Sequence, residues 1–268
     1  AMFCDYVSIH SQEEMAPGIY RMVLEAPEAA AAAAPGQFVN LYVNNPSMLL
    51  PRPISICEAD PETGLLTLIY AVVGHGTDEL AGYTAGTRLR LMGPLGNGFP
   101  LERAGQESVR EILLVGGGLG IPPMLFLARK LHEMYPEKGI RIFNGFRSKP
   151  WIEEEFMPYG EIFNASDDGR SGFMGNVIDA MEYKMIFTDE NIKALLYTCG
   201  PLPMMRAIQK WQQGYNMETW FSLEERMGCG FGACAGCPAK LRMPDGSVAR
   251  KGVCKMGPVL PGEEVIFV

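Results

Sequence analysis

The chain has 268 residues, 47% hydrophobic and 20% charged, with a formal net charge of −8. Those figures suit about two globular domains with cores of their own, and the acidity excludes a general nucleic-acid binder, which has phosphates to neutralise. No run reaches about 18 uninterrupted apolar residues, so no membrane-spanning helix is expected. With no basic and apolar leader at the N-terminus, the expected compartment is the cytoplasm, where thiols stay reduced.

Residues 1–103 read as an antiparallel β-barrel. Short runs such as "GQFVNLYV" and "GLLTLIYAVV" are separated by Pro/Gly turns. The alanine run Ala29–Ala34 is six residues long and closes on Pro35-Gly36, so it reads as a surface turn or loop. In "RPIS", Arg52 offers a planar fork of donors for a pyrophosphate, and Ser55 a hydroxyl for a ring edge, with Pro53 and Ile54 between them. Taken alone, the same four residues also describe a proline-punctuated edge strand. Ile69, Tyr70 and Ala71 fall one strand over, where Tyr70 can stack on a flat ring or fill core. "GHGTDEL" sets Gly76 and Thr77 at a helix start, Thr77 as its N-cap, with free amides for phosphate; a plain capped helix reads the same way.

Residues 104–221 change rhythm. "EILLVGGGLGIPPMLFLARKLHEMYP" runs from a buried strand through a glycine turn into a helix, and apolar strands follow at "IRIFNGF", "EIFNA" and "ALLYTCG". Strands alternating with helices predict a doubly wound parallel sheet. The turn Gly116–Gly120 is not G-x-G-x-x-G, because position 121 is Ile, and a bland strand–helix turn would look alike. Arg147 and Lys149 could meet a 2′-phosphate or simply belong to a solvated loop, and Trp151–Phe156 ("WIEEEF") reads as a solvated face.

Residues 222–268 hold Cys229, Cys234, Cys237 and Cys254, while Cys4, Cys57 and Cys199 are scattered. An odd total, unevenly placed, is a poor disulfide framework. C-x4-C-x2-C followed by a distant fourth cysteine is the plant-type spacing of a [2Fe–2S] cluster, and the interleaved glycines let one loop curl around it. A zinc site usually shows two short Cys pairs, and a C-x-x-C redox motif would leave Cys229 and Cys254 unexplained. A tail this short needs such a centre to hold a core.

RPxS, a Tyr-bearing strand, a Gly-Thr helix start and "GPLGNGF" (Gly93–Phe99) together resemble the ferredoxin-reductase family of flavoproteins. The resemblance implies that the barrel binds FAD through Arg52, Pro53, Ile54, Ser55, Ile69, Tyr70, Ala71, Gly76 and Thr77. It further implies that NAD, as substrate, lies over Gly117 and Gly118 with its nicotinamide beside Cys199 of "CGP", although Cys199 equally describes a small buried hydrophobe at a strand end. Adding "SLEERMGCGFGAC" and the fourth cysteine, the chain from about Tyr6 onward is similar to the electron-transfer subunits of NAD-dependent dihydroorotate dehydrogenases. That similarity implies a pyrimidine-biosynthetic role and an FMN-containing catalytic partner, two copies of each forming a heterotetramer. Ala71 stands where those subunits often carry a basic residue, which removes one side-chain contact to FAD. Phe231, Met256, Val259 and Leu260 are expected to border the cluster as a docking face, or else to pack the small tail itself. The rivals are a reductase subunit serving a hydrogenase or a ferredoxin:NADP oxidoreductase, and a zinc-stabilised binding module without redox function. No Ser/His/Asp or paired-carboxylate arrangement suggests hydrolysis.

Overall fold

The computed structural model describes residues 3–170, 172–184, 193–215 and 217–267. Its first part runs β1 (Phe3–Ala16), β2 (Ile19–Glu25), α1 (Pro27–Ala32), β3 (Phe38–Tyr42), β4 (Arg52–Asp60), β5 (Leu65–Ala71), α2 (His75–Ala81) and β6 (Arg88–Leu95). The six strands close into an antiparallel barrel in the order β1-β2-β5-β4-β3-β6. Strand periodicity explains the closure: in β6, exposed Arg88 and Arg90 alternate with buried Leu89 and Leu91, so one face fills the barrel. The alanine run is a helix rather than a surface turn, and Ala29 and Ala30 are buried. Burial of small side chains stabilises six helical residues that propensity alone would leave unformed.

The second part runs β7 (Val109–Gly117), α3 (Ile121–Met134), β8 (Gly139–Phe146), β9 (Glu161–Ser166), β10 (Phe173–Met174), α4 (Val177–Lys184), β11 (Lys193–Cys199), α5 (Leu202–Trp211) and β12 (Met217–Ser222). The chain starts at the centre of the sheet, moves out through β8, β9 and β10, then returns to the other side of β7 for β11 and β12. All of these pairings are parallel. The order therefore reverses between β7 and β11, and such a reversal opens a crevice at the strands' carboxyl ends. Pro122 and Pro123 occupy the first turn of α3, where a missing N–H costs nothing.

Barrel and sheet are fastened together. Arg129 of α3 pairs with Glu58 at 3.2 Å and donates to the Ala59 carbonyl at 2.7 Å, both on β4, and the Tyr197 hydroxyl donates to the Pro100 carbonyl at 2.7 Å. The "WIEEEF" stretch belongs to this joint and is not simply a solvated face: Ile152 and Phe156 are buried, and Glu155 pairs with Arg21 of β2.

The tail supplies β13 (Pro238–Arg242), β14 (Val248–Gly252), α6 (Val253–Met256) and β15 (Val259–Pro261). β13 and β14 form a hairpin, and β15 adds an antiparallel strand to β12, pairing Ser222 with Val259 and Phe221 with Leu260. Val259 and Leu260 are 4% and 3% exposed, so they are sheet core and not a surface border. Cys237, Leu241, Val253 and Cys254 share one hydrophobic cluster with Leu113 and Leu196 of the sheet and Phe38 and Leu95 of the barrel. The tail thus borrows a core that it is too short to build alone.

Candidate functional site

A cavity of about 690 Å³ opens between the barrel and the start of the tail. Its barrel wall holds Arg52, Pro53, Ile54 and Ser55 from β4, and Ile69, Tyr70 and Ala71 from β5. Gly76 and Thr77 of α2 line it as well, so the nine barrel residues singled out in the sequence converge on one space. Its other wall is Leu119 and the segment Ser222–Glu225 with Met227. Sequence reasoning missed that second wall, although "SLEERM" ends two residues before the first clustered cysteine.

The N-cap of α2 is Gly74, and Thr77 sits at the third helical position. From there Thr77 Oγ1 accepts from the Val73 and Gly74 N–H groups at 2.9 and 3.2 Å and donates to the Gly74 carbonyl at 3.0 Å. It is therefore a reciprocal cap and not the N-cap itself. The Arg52 guanidinium contacts the Leu50 carbonyl and Met48 Sδ, and it lies where a Cβ on Gly76 would have to be. The guanidinium thus packs on the first turn of α2, and both line the cavity, so their donors are set side by side for one anion.

Gln12, on β1, went unnoticed in the sequence. Its Nε2 donates to the Leu80 and Tyr83 carbonyls at 2.9 and 2.8 Å, and its Oε1 accepts from the Tyr70 hydroxyl at 3.0 Å. One side chain thus fixes both the end of α2 and the ring of Tyr70, which also stacks on Tyr20 at 5.9 Å. Burial pushes the Tyr70 hydroxyl above its usual range, so it stays protonated as a donor.

At the topological reversal, Gly116 of β7 and Cys199 of β11 are register partners. Gly117 is buried against Met204 and Pro201, and Gly120 against the Cys199 carbonyl. Gly118, with φ +53°, is exposed over open space. Of the three residues assigned to the nucleotide, Gly118 is the one with room above it. Cys199 is buried, and desolvation raises its thiol well above the usual range, so it presents a neutral, small surface. Arg147 and Lys149 do not line the cavity. Glu224 faces the cavity mouth, where surrounding protein raises its carboxyl above the usual range while water still reaches it.

The four clustered cysteines come as two pairs. Cys237 and Cys254 Sγ lie 3.3 Å apart, far longer than a disulfide of about 2.05 Å. Cys229 Sγ accepts from the Ala233 and Cys234 N–H groups at 3.3 and 3.4 Å. Desolvation raises the Cys229 thiol, but these amides outweigh it and bring it down to about 6. Desolvation and the neighbouring Cys237 and Cys229 sulfurs push Cys254 up to about 12. Gly236 and Cys254 also aim N–H groups at Cys234 and Cys237. Two thiol pairs ringed by amide donors fit a binuclear, negatively charged cluster better than tetrahedral zinc. The loop's tight course needs left-handed backbone at Gly230 and Gly232, and Gly230 packs against Asn40 of β3, where a side chain would collide.

The chain is 40% identical to the dihydroorotate dehydrogenase B (NAD(+)) electron transfer subunit of Geobacillus kaustophilus, over 97% of this chain and 98% of that one. The chain belongs to this family. The corresponding subunit of Bacillus cereus is also 40% identical, over 96% of both chains. Residues 224–266 match the iron–sulfur cluster binding domain of dihydroorotate dehydrogenase B, so the matched domain holds all four clustered cysteines. A solved NADH-dependent reduced ferredoxin-NADP oxidoreductase, studied for flavin-based electron bifurcation, superposes with a TM-score of 0.84 at 27% identity, over 97% of this chain and 90% of that one. The ferredoxin reductase of a carbazole 1,9a-dioxygenase shares the fold, with a TM-score of 0.66 at 21% identity over 81% of this chain and 67% of that one. As a member of the dihydroorotate dehydrogenase B electron transfer family, the chain is an oxidoreductase component that works with a catalytic subunit.

Proposed function

We propose that this chain passes electrons between NAD and the FMN of a dihydroorotate-oxidising catalytic subunit, through FAD held in the barrel cavity and a [2Fe–2S] cluster in the tail. The observation that carries this is continuity: Ser222–Glu225 and Met227 line the cavity, and Met227 stands two residues before Cys229. Two virtual bonds of about 3.8 Å put those Cα atoms within about 8 Å of each other. The wall of the flavin site is therefore also the lead into the cluster loop.

The cofactors, when bound, supply hydride exchange at the flavin and single-electron exchange at the cluster. The chain's residues bind, orient and exclude water. Arg52 and the first turn of α2 would hold the diphosphate, Ser55 and Tyr70 would bind the flavin ring, and Gly118, with Cys199 close by, would leave room for the nucleotide. Cys229, Cys234, Cys237 and Cys254 would hold the cluster. No acid–base side chain is needed. The assembly is a heterotetramer of two subunits of each kind, in the cytoplasm; no helix of the described residues is long and apolar enough to cross a membrane.

Reconstitution tests the reading. The holo-protein should show flavin and iron–sulfur absorption, reduce a dye with NADH, and give NAD-linked oxidation of dihydroorotate once the catalytic subunit is added. Dye reduction without dihydroorotate-linked turnover would favour the second reading, a subunit of a ferredoxin:NADP oxidoreductase, which the 27% identity and full-length superposition keep in view.

A further inference from the structure

Apart from Asn40, the outer face of the barrel beside the cluster loop has no role in either cofactor site. There the Asn40 side chain, fully buried, donates to the Cys229 carbonyl at 2.9 Å and fixes the loop to β3. Tyr42 stands two residues further along the same face, about 7 Å away. The Arg90 guanidinium lies 4.0 Å above the Tyr42 ring, and Arg90 pairs in register with both Tyr42 and Tyr6. Arg88 approaches the Tyr6 ring at 5.8 Å. Tyr6 is 55% exposed and both arginines are exposed. Among the described residues neither arginine has a carboxylate partner.

In a chain of net charge −8, Arg88 and Arg90 set two exposed, unpaired guanidinium groups on tyrosine rings beside the cluster loop. Their planar heads are already ordered by the rings, so little side-chain freedom is lost when a carboxylate is bound. On the other side of the loop Phe231 and Met256 are 47% and 40% exposed, and Met256 is tied to the barrel through its carbonyl, which accepts from Asn97 Nδ2 at 2.9 Å. Lys255 packs over Gly232 within the same rim. A stable interface covers about 800 Å² per partner, a disc of roughly 16 Å radius. One centred on the cluster loop reaches Tyr42 and Arg90.

We propose that the catalytic subunit docks across both regions: the apolar cluster rim of Phe231 and Met256, and the barrel patch of Tyr6, Tyr42, Arg88 and Arg90, against which it sets carboxylates. This rests on the reading of the chain as an electron-transfer subunit. Aromatic and arginine side chains are the types that anchor interfaces, and rim charges govern association rate and salt dependence.

The test is affinity between the holo-chain and the dihydroorotate-oxidising subunit at low and high salt. Arg88→Glu/Arg90→Glu should bind at least tenfold more weakly at low salt and show a shallower salt dependence. Flavin content, iron content and NADH-to-dye reduction should stay at wild-type levels. Arg110→Glu, at the far end of β7, should bind as wild type does. If the reversed pair loses a cofactor, Arg88→Gln/Arg90→Gln gives the reading instead, with a smaller loss expected. Binding by the reversed or neutral pair within twofold of wild type overturns the proposal while leaving the electron-transfer reading intact. Failure of the wild type itself to bind overturns both.

Discussion

Gly76→Ala offers a sharp test of the FAD site because its two effects have opposite signs. Gly76 is the second residue of α2, and its backbone does not need the left-handed region. Alanine there should raise the stability of the apo-chain by up to about 1 kcal/mol, the helical preference of Ala over Gly. The new Cβ, however, occupies the space of the Arg52 guanidinium. Being the end of a flexible side chain, that group moves aside at little cost to the fold and is lost as a ligand. A hydrogen bond to a charged group is worth about 1.5–3 kcal/mol, so FAD should dissociate about 10- to 150-fold more readily. Titration of the apo-chain with FAD, followed by flavin fluorescence, measures the loss, and thermal unfolding of the apo-chain measures the gain. Arg52→Ala should weaken FAD by a similar amount. The double variant should then be no weaker than Arg52→Ala by more than about 0.5 kcal/mol, because both changes remove the same contact. Wild-type flavin affinity in Gly76→Ala, or full additivity in the double variant, would refute the placement of Arg52.

Three further expectations concern other parts of the site. Cys234→Ser should purify with less than one iron and one acid-labile sulfide per chain; about two of each would show that Cys234 is not a ligand. Gln12→Met removes two short bonds to carbonyls and one from Tyr70. It should lower unfolding stability by about 2–3 kcal/mol at roughly 1 kcal/mol per bond and weaken FAD binding, although Gln12 does not line the cavity; unchanged flavin affinity would confine it to a structural role. Phe231→Asp should leave NADH-to-dye reduction intact and abolish co-purification with the catalytic subunit, and loss of the cluster in that variant would make Phe231 structural.

The candidate cofactor residues stand out in the sequence because each belongs to a short-range pattern. Cysteine spacing, RPxS followed by a Tyr strand, and a Gly-Thr helix start depend on residues a few positions apart, and strand periodicity then brings the barrel motifs to one cavity. What could not be read depends on distance along the chain. Gln12 meets its partners 58 to 71 positions away, and a lone glutamine in a strand carries no signal of that. Val259 and Leu260 read as apolar border because β15 is three residues long and completes a sheet begun some 150 residues earlier. Ala29 and Ala30 read as loop because their helix forms through burial. Thr77 was misplaced by three positions because Gly74, which has no side chain, takes the N-cap.

The short strand β15 also bears on how such a chain can be cut or joined. By pairing with β12 it covers the open hydrogen-bonding edge of the sheet at Trp220–Ser222. Ending the chain before Val259 would bare that edge, remove Leu260 from the shared core and leave an aggregation-prone seam. A cluster-free NADH–dye reductase is therefore better made by replacing cysteines than by trimming the C-terminus. Appended tags or fusion partners, which begin after the strand is closed, leave that seam covered.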